Sequence, residues 1–182
     1  MTSSSPLRYN PSGRIPLAMK WFQRIMGSKG HHTPSDVYLC QRPHWRIAGV
    51  RVFEPFFRAL PDFVPDGSTL YIENDTFTPD VEEYLKGLAV QDAIVVARGT
   101  IWPKTRKYRI PITQANMVGL AQISERHAEP EVAAHMVVYR GSAILLEWYD
   151  AGDDPIYLSK EIEEEKVKTL TSKLGGKYDE LL

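Results

Sequence analysis

The chain has 182 residues, 43 % hydrophobic and 25 % charged, ordinary globular values that exclude a wholly disordered chain. A formal net charge of −1 excludes a uniformly basic nucleic-acid binder, and the single Cys40 excludes an intrachain disulfide or a thiolate-rich zinc site. No apolar run reaches the ~18–20 residues of a membrane-spanning helix.

Charge is unevenly spread. Residues 1–53 sum to +7 and residues 54–182 to −8, so a basic segment precedes an acidic body. Residues 1–14, rich in Ser, Pro and Gly, have the composition of a disordered tail. Residues 15–26 then place Trp21, Phe22, Ile25 and Met26 on one helical arc, with Lys20, Gln23 and Arg24 opposite. This amphipathic helix and a polar loop to residue 36 form an arm before a single α+β domain, 37–182.

Within that domain, Pro55 marks the first turn of a short helix running to about Leu60, which Pro61 follows. Thr69–Glu73 reads as a buried strand. Thr78 with Pro79 opens a helix whose apolar face is Val81, Tyr84, Leu85 and Leu88. Ala93–Trp102 is β-rich, and Tyr108–Ile112 returns as a strand that Pro111 confines to an edge. Thr113 caps a helix reaching about His127.

Ala134–Arg140 and Ala143–Tyr149 flank Gly141-Ser142, a strong two-residue hairpin signal. In the regular register Tyr139 faces Ile144, Val137 faces Leu146 and His135 faces Trp148. Both faces of this hairpin are mostly apolar, which predicts a place near the middle of the sheet. Ile156–Leu158 adds a strand or bridge. Ser159 caps a last helix, 160–174, that Gly175-Gly176 ends.

The order from residue 68 is β-α-β-β-α-β-β-α. It predicts an α+β fold with a mixed, mainly antiparallel sheet and helices on one face, a ferredoxin-like βαββαβ set extended by a strand and a C-terminal helix. Such a fold does not specify an activity.

Candidates for chemistry are few. No G-x-S-x-G, P-loop, G-x-G-x-x-G or H-E-x-x-H occurs. Cys40, four residues before His44, reads as a packing residue. His135, Glu147, Glu73 and Asp75 are the catalytic candidates. Strict alternation puts His135 and Glu147 on opposite faces, so they pair only if a bulge intervenes. His135 otherwise reads as a core histidine bonded to a backbone carbonyl. Asp150, Asp153 and Asp154 are the metal candidates, although D-A-G-D-D-P is also ordinary turn chemistry. The stretch from Trp102 through Lys104, Arg106, Lys107, Tyr108 and Arg109 alternates cations and aromatics, as a phosphate backbone or stacked bases would require. The same pattern also protects a sheet edge from aggregation.

These features predict a non-enzymatic binding or interaction domain, of bacterial type and cytoplasmic, without a cofactor. Its partner is a protein or a second copy, met through the N-terminal helix (Trp21, Phe22) or the sheet edge. A small hydrolase using carboxylates and His135 is the first alternative. A nucleic-acid-associated protein using the basic hairpin 102–109 is the second. A membrane surface is not the expected partner of so sparsely basic a helix.

Overall fold

Trp45 and Ile47, Leu70 and Ile72, and Met136 and Val138 each recur at a spacing of two, and each pair points toward the same layer of helices. The computed structural model describes residues 39–92, 94 and 104–182, all within a unit from Thr33 to Leu182. The expected tail 1–14, helix 15–26, loop 27–36 and nearly all of strand 93–102 lie outside the described residues, with Trp21, Phe22 and Trp102 among them.

The strands are β1 (His44–Ala48), β2 (Thr69–Asn74), β3 (Arg106–Pro111), β4 (His135–Arg140), β5 (Ala143–Trp148), β6 (Ile156–Ser159) and β7 (Lys177–Leu181). Among the described residues they form one seven-stranded sheet in the order β3-β2-β4-β5-β6-β1-β7, every pair antiparallel. The helices are α1 (Phe53–Phe63), α2 (Pro79–Leu88), α3 (Gln114–Ser124), the short α4 (Glu129–Val132) and α5 (Glu164–Leu174). The fold is therefore α+β, with its main core between helices and one sheet face.

The order departs from a simple ferredoxin-like sandwich. β1, read from sequence only as part of a buried apolar stretch, inserts between β6 and β7. β7 was not expected at all, because its side chains are mostly exposed and carry no apolar alternation. Gly176 permits this last pairing: a Cβ there would lie 2.8 Å from the Ala48 carbonyl oxygen. The β4–β5 hairpin is central, as its two apolar faces predict, and β3 ends the sheet on the other side. Gly141 takes a φ of +56°, as the first position of this turn requires.

Three helix boundaries differ from those the proline and hydroxyl positions predict. α1 continues through Pro61 to Phe63, since a proline in the last turn forfeits only one backbone bond. α3 stops at Ser124, while its Thr113 cap accepts the Asn116 amide as expected. Ser159 caps no helix; its hydroxyl accepts the Glu161 amide, and α5 begins only at Glu164.

Trp148 anchors the helix-side core. Its ring meets Phe53 and Phe56 edge-on at centroid distances of 5.2 and 5.0 Å, and its Nε1–H donates to the Asp154 carbonyl at 2.9 Å.

Candidate functional site

The second sheet face has a different chemistry because of one extra residue. Tyr139 pairs with Ile144 as predicted, but Val138, not Val137, pairs with Leu146. Leu145 is the additional residue of a β-bulge, and beyond it every face assignment inverts. Leu146 and Trp148 therefore join the helix-side core. Glu147 moves opposite Val137, onto the face that carries Tyr139 and His135. The expected separation of His135 from Glu147 is corrected: the bulge puts them on one face. Tyr149, at 5.1 Å between ring centroids, takes the place beside His135 expected of Trp148.

Register then defines a row across the whole sheet: Arg109, Tyr71, Val137, Glu147, Tyr157, Arg46 and Asp179, one from each strand. A second row sets Lys107 beside Glu73 and Glu73 beside His135. Cross-strand neighbours on one face lie close enough to interact, so these are contiguous groups.

Glu147 is the centre. It is 1 % exposed, and its Oε2 accepts the Leu39 amide at 2.5 Å from a short 3-10 turn, Leu39–Gln41. Burial pushes its carboxyl up to about 7, against smaller lowering effects of the Leu39 amide and the Arg42 charge. Such a group changes protonation near neutral pH.

Around it, hydroxyls meet carboxylates. Tyr71 donates to Glu73, and Tyr139 donates to Asp92 at 2.6 Å. Burial and then the accepting carboxylate hold both phenols well above their ordinary range. The hydroxyl of Tyr139 in turn keeps Asp92 low. Arg109 lies 5.6 Å from the Tyr71 ring centroid and donates to the Ile94 carbonyl at 3.1 Å, while its Nε is buried without a partner among the described residues.

His135 is held at the end of this face, where Nδ1 accepts the Asp150 amide at 3.0 Å. That bond requires the lone pair on Nδ1, so the expected bond to a carbonyl is corrected. The ring presents the Nε2 tautomer. His44, on the same face beside Tyr157 at 5.3 Å, donates Nδ1–H to the Arg42 carbonyl at 2.6 Å. Its Nε2 is buried with no partner among the described residues. Cys40 is exposed rather than packed, and burial followed by the nearby Glu147 charge pushes its thiol up, the reverse of an activated nucleophile.

The remaining candidates disperse. Asp75, Asp150, Asp153 and Asp154 share the lining of a surface pocket with Asn74 and Pro130, yet no group of three or more His, Cys, Asp or Glu side chains among the described residues is placed to hold a metal ion. Asp150 has a φ of +40°, and its carbonyl accepts the amides of Asp153 and Asp154, which is turn architecture. β3 divides the basic stretch by alternation. Arg106 pairs with Glu82 at 2.5 Å and Tyr108 donates to the same carboxylate, while Lys107 and Arg109 point the other way and Lys104 is exposed. The cations therefore form no single stripe.

Tyr71, Tyr139, Asp92 and His44 were not singled out as site residues from sequence. Register brings Tyr71, Tyr139 and His44 to the face of Glu147, Asp92 joins through its bond from Tyr139, and their spacing along the chain carries no signal.

Compared with protein-family models, curated proteins and solved structures, the chain matches none. No helix among the described residues is long and apolar enough to cross a membrane.

Proposed function

We propose that the protein is a binding domain for a small molecule, with the titratable sheet face around Glu147 as its site. Glu147 itself carries the reading. A buried carboxyl with, among the described residues, one amide donor and no contacting cation lowers stability when it ionises, and folds retain such groups mainly where they act. The Leu39 turn that bonds it also lines, with the β4–β5 turn, a cleft of about 530 Å³, within the range of small-molecule sites; Glu147 lies behind that wall and not in it.

Backbone-amide NMR of the full chain, titrated with a fragment library at pH 6 and pH 8, tests this. Shifts are expected to cluster at residues 39–42 and 142–147, with affinities that differ between the two pH values. Glu147→Gln should remove that difference. Shifts scattered elsewhere, or none, overturn the proposal.

One observation favours a second reading, a hydrolase-type enzyme. The bulge sets His135 and Glu147 on the same face as Glu73, so a protonated Glu147 donates, Glu73 accepts, and the Nε2–H of His135 is a further donor. Under this reading Glu147→Gln abolishes turnover of a model ester, whereas the binding reading expects no turnover from either protein.

A further inference from the structure

The cleft lined by Leu39 and the β4–β5 turn has walls of opposite character. Leu39, Pro43, Ala143 and Ile144 supply an apolar side, Ser142 and Ser159 supply hydroxyls, and Arg42, Lys160 and Glu161 bring charge. Its two cations are not equivalent. Lys160 is committed, with Nζ 2.6 Å from Glu180 and 3.1 Å from the Trp45 ring centroid. Arg42 is exposed and enters no ion pair among the described residues; the one group whose ionisation it is seen to favour is Glu147. Its backbone is nevertheless fixed, because its carbonyl accepts from His44 Nδ1 at 2.6 Å and its own N–H donates to the Leu39 carbonyl at 3.0 Å. A fixed backbone beneath an uncommitted guanidinium is a prepared anion contact.

We infer that this cleft takes a small monocarboxylate with an apolar body. Arg42 holds the carboxylate through parallel N–H bonds, and the wall formed by Leu39, Pro43, Ala143 and Ile144 receives the hydrocarbon. Glu161 on the same rim opposes a second negative charge, so a monoanion fits better than a dianion. This assignment rests on the binding reading above and names its ligand class.

Octanoate, octanol and octyl phosphate, titrated into the full chain and into Arg42→Gln, separate the possibilities. Octanoate is expected to bind about tenfold tighter than octanol, as a charge-assisted pair implies, and tighter than octyl phosphate. Arg42→Gln should erase that advantage and leave octanol unchanged. If octanol equals octanoate in the wild type, or Arg42→Gln keeps full octanoate affinity, the carboxylate assignment is wrong while the cleft stands as a site. If octyl phosphate binds best, the monoanion preference is wrong. If none of the three shifts the amides of residues 39–42, 142–144 and 159–161, the cleft is not a ligand site and the underlying binding reading fails with it.

Discussion

The helix-covered and titratable faces belong to the same seven strands, yet they are built on different terms. On one, Ile47, Leu70, Ile72, Val138, Leu146 and Trp148 are at most 0 % exposed and touch the aromatic side of α1 and the other helices. Any well-packed apolar residue of the right volume would serve there. On the other, Tyr71, Glu73, Tyr139 and Glu147 are equally buried, but each polar atom constrains its neighbours. Burial on the first face stabilises the fold. Burial on the second costs stability wherever a charge must form, and that cost is what marks it as the face with chemistry.

The sharpest break of this contrast is on the helix face. Trp148→Ala removes the ring that Phe53 and Phe56 pack against and leaves a cavity. It should lower unfolding free energy in urea by about 3–5 kcal/mol. A loss below 1 kcal/mol would mean that the two faces do not differ in the way described.

Glu147→Gln tests the other face, with the opposite sign. Because the folded carboxyl is raised from 4.5 to about 7, the native state binds the proton more tightly than the unfolded chain. Its contribution to stability is thus fullest below pH 4.5 and is lost as pH rises toward 7. The whole span amounts to about 3 kcal/mol at 1.36 kcal/mol per pKa unit. Glutamine keeps the Leu39 amide bond and does not ionise. The variant should therefore match wild type near pH 4 and exceed it by up to that amount at pH 8. Parallel pH profiles for the two proteins would remove Glu147 from its central role.

How much of this was legible in the sequence follows from where side chains are exposed. The hairpin, its Gly141 turn and its central place were readable, because both strands carry apolar residues on both faces. β1 was visible only as Trp45 and Ile47 in alternation with His44 and Arg46, over too few residues between Pro43 and Gly49 to stand out. β7 left no pattern, since an exposed edge strand needs none. The site was missed for a different reason. Glu147 is a candidate, but a regular register puts it on the face opposite His135, and a single inserted Leu145 cannot be told from a regular strand residue when both faces are apolar.

Deleting Leu145 sharpens this point. Ile144 would still meet Tyr139, Leu146 would still meet Val138, and Glu147 would still meet Val137, now in strict alternation. The faces are therefore expected to survive the deletion. The loss should be confined to one buried side chain, about 1.5–3 kcal/mol, and Glu147 should keep its raised titration by NMR. A deletion protein in which Glu147 titrates like an ordinary carboxylate would show that the bulge does more than set the register.

The smallest effect lies at the far end of the central row, where Arg46 meets Asp179 at 2.5 Å. The pair shares a face and a row with Glu147, but its side chains are 38 % and 50 % exposed. Water screens both charges there, and holding two long side chains together offsets much of the attraction. A double-mutant cycle with Arg46→Ala and Asp179→Ala should give a coupling of roughly 0.2–1 kcal/mol, fading in 1 M salt, where the Debye length falls to ~3 Å. Coupling above about 2 kcal/mol, or coupling indifferent to salt, would mean that the pair is shielded from water as Glu147 is. The boundary between the buried centre of the row and its solvated rim would then have to move from β6 out to β7, the edge strand with no apolar pattern of its own.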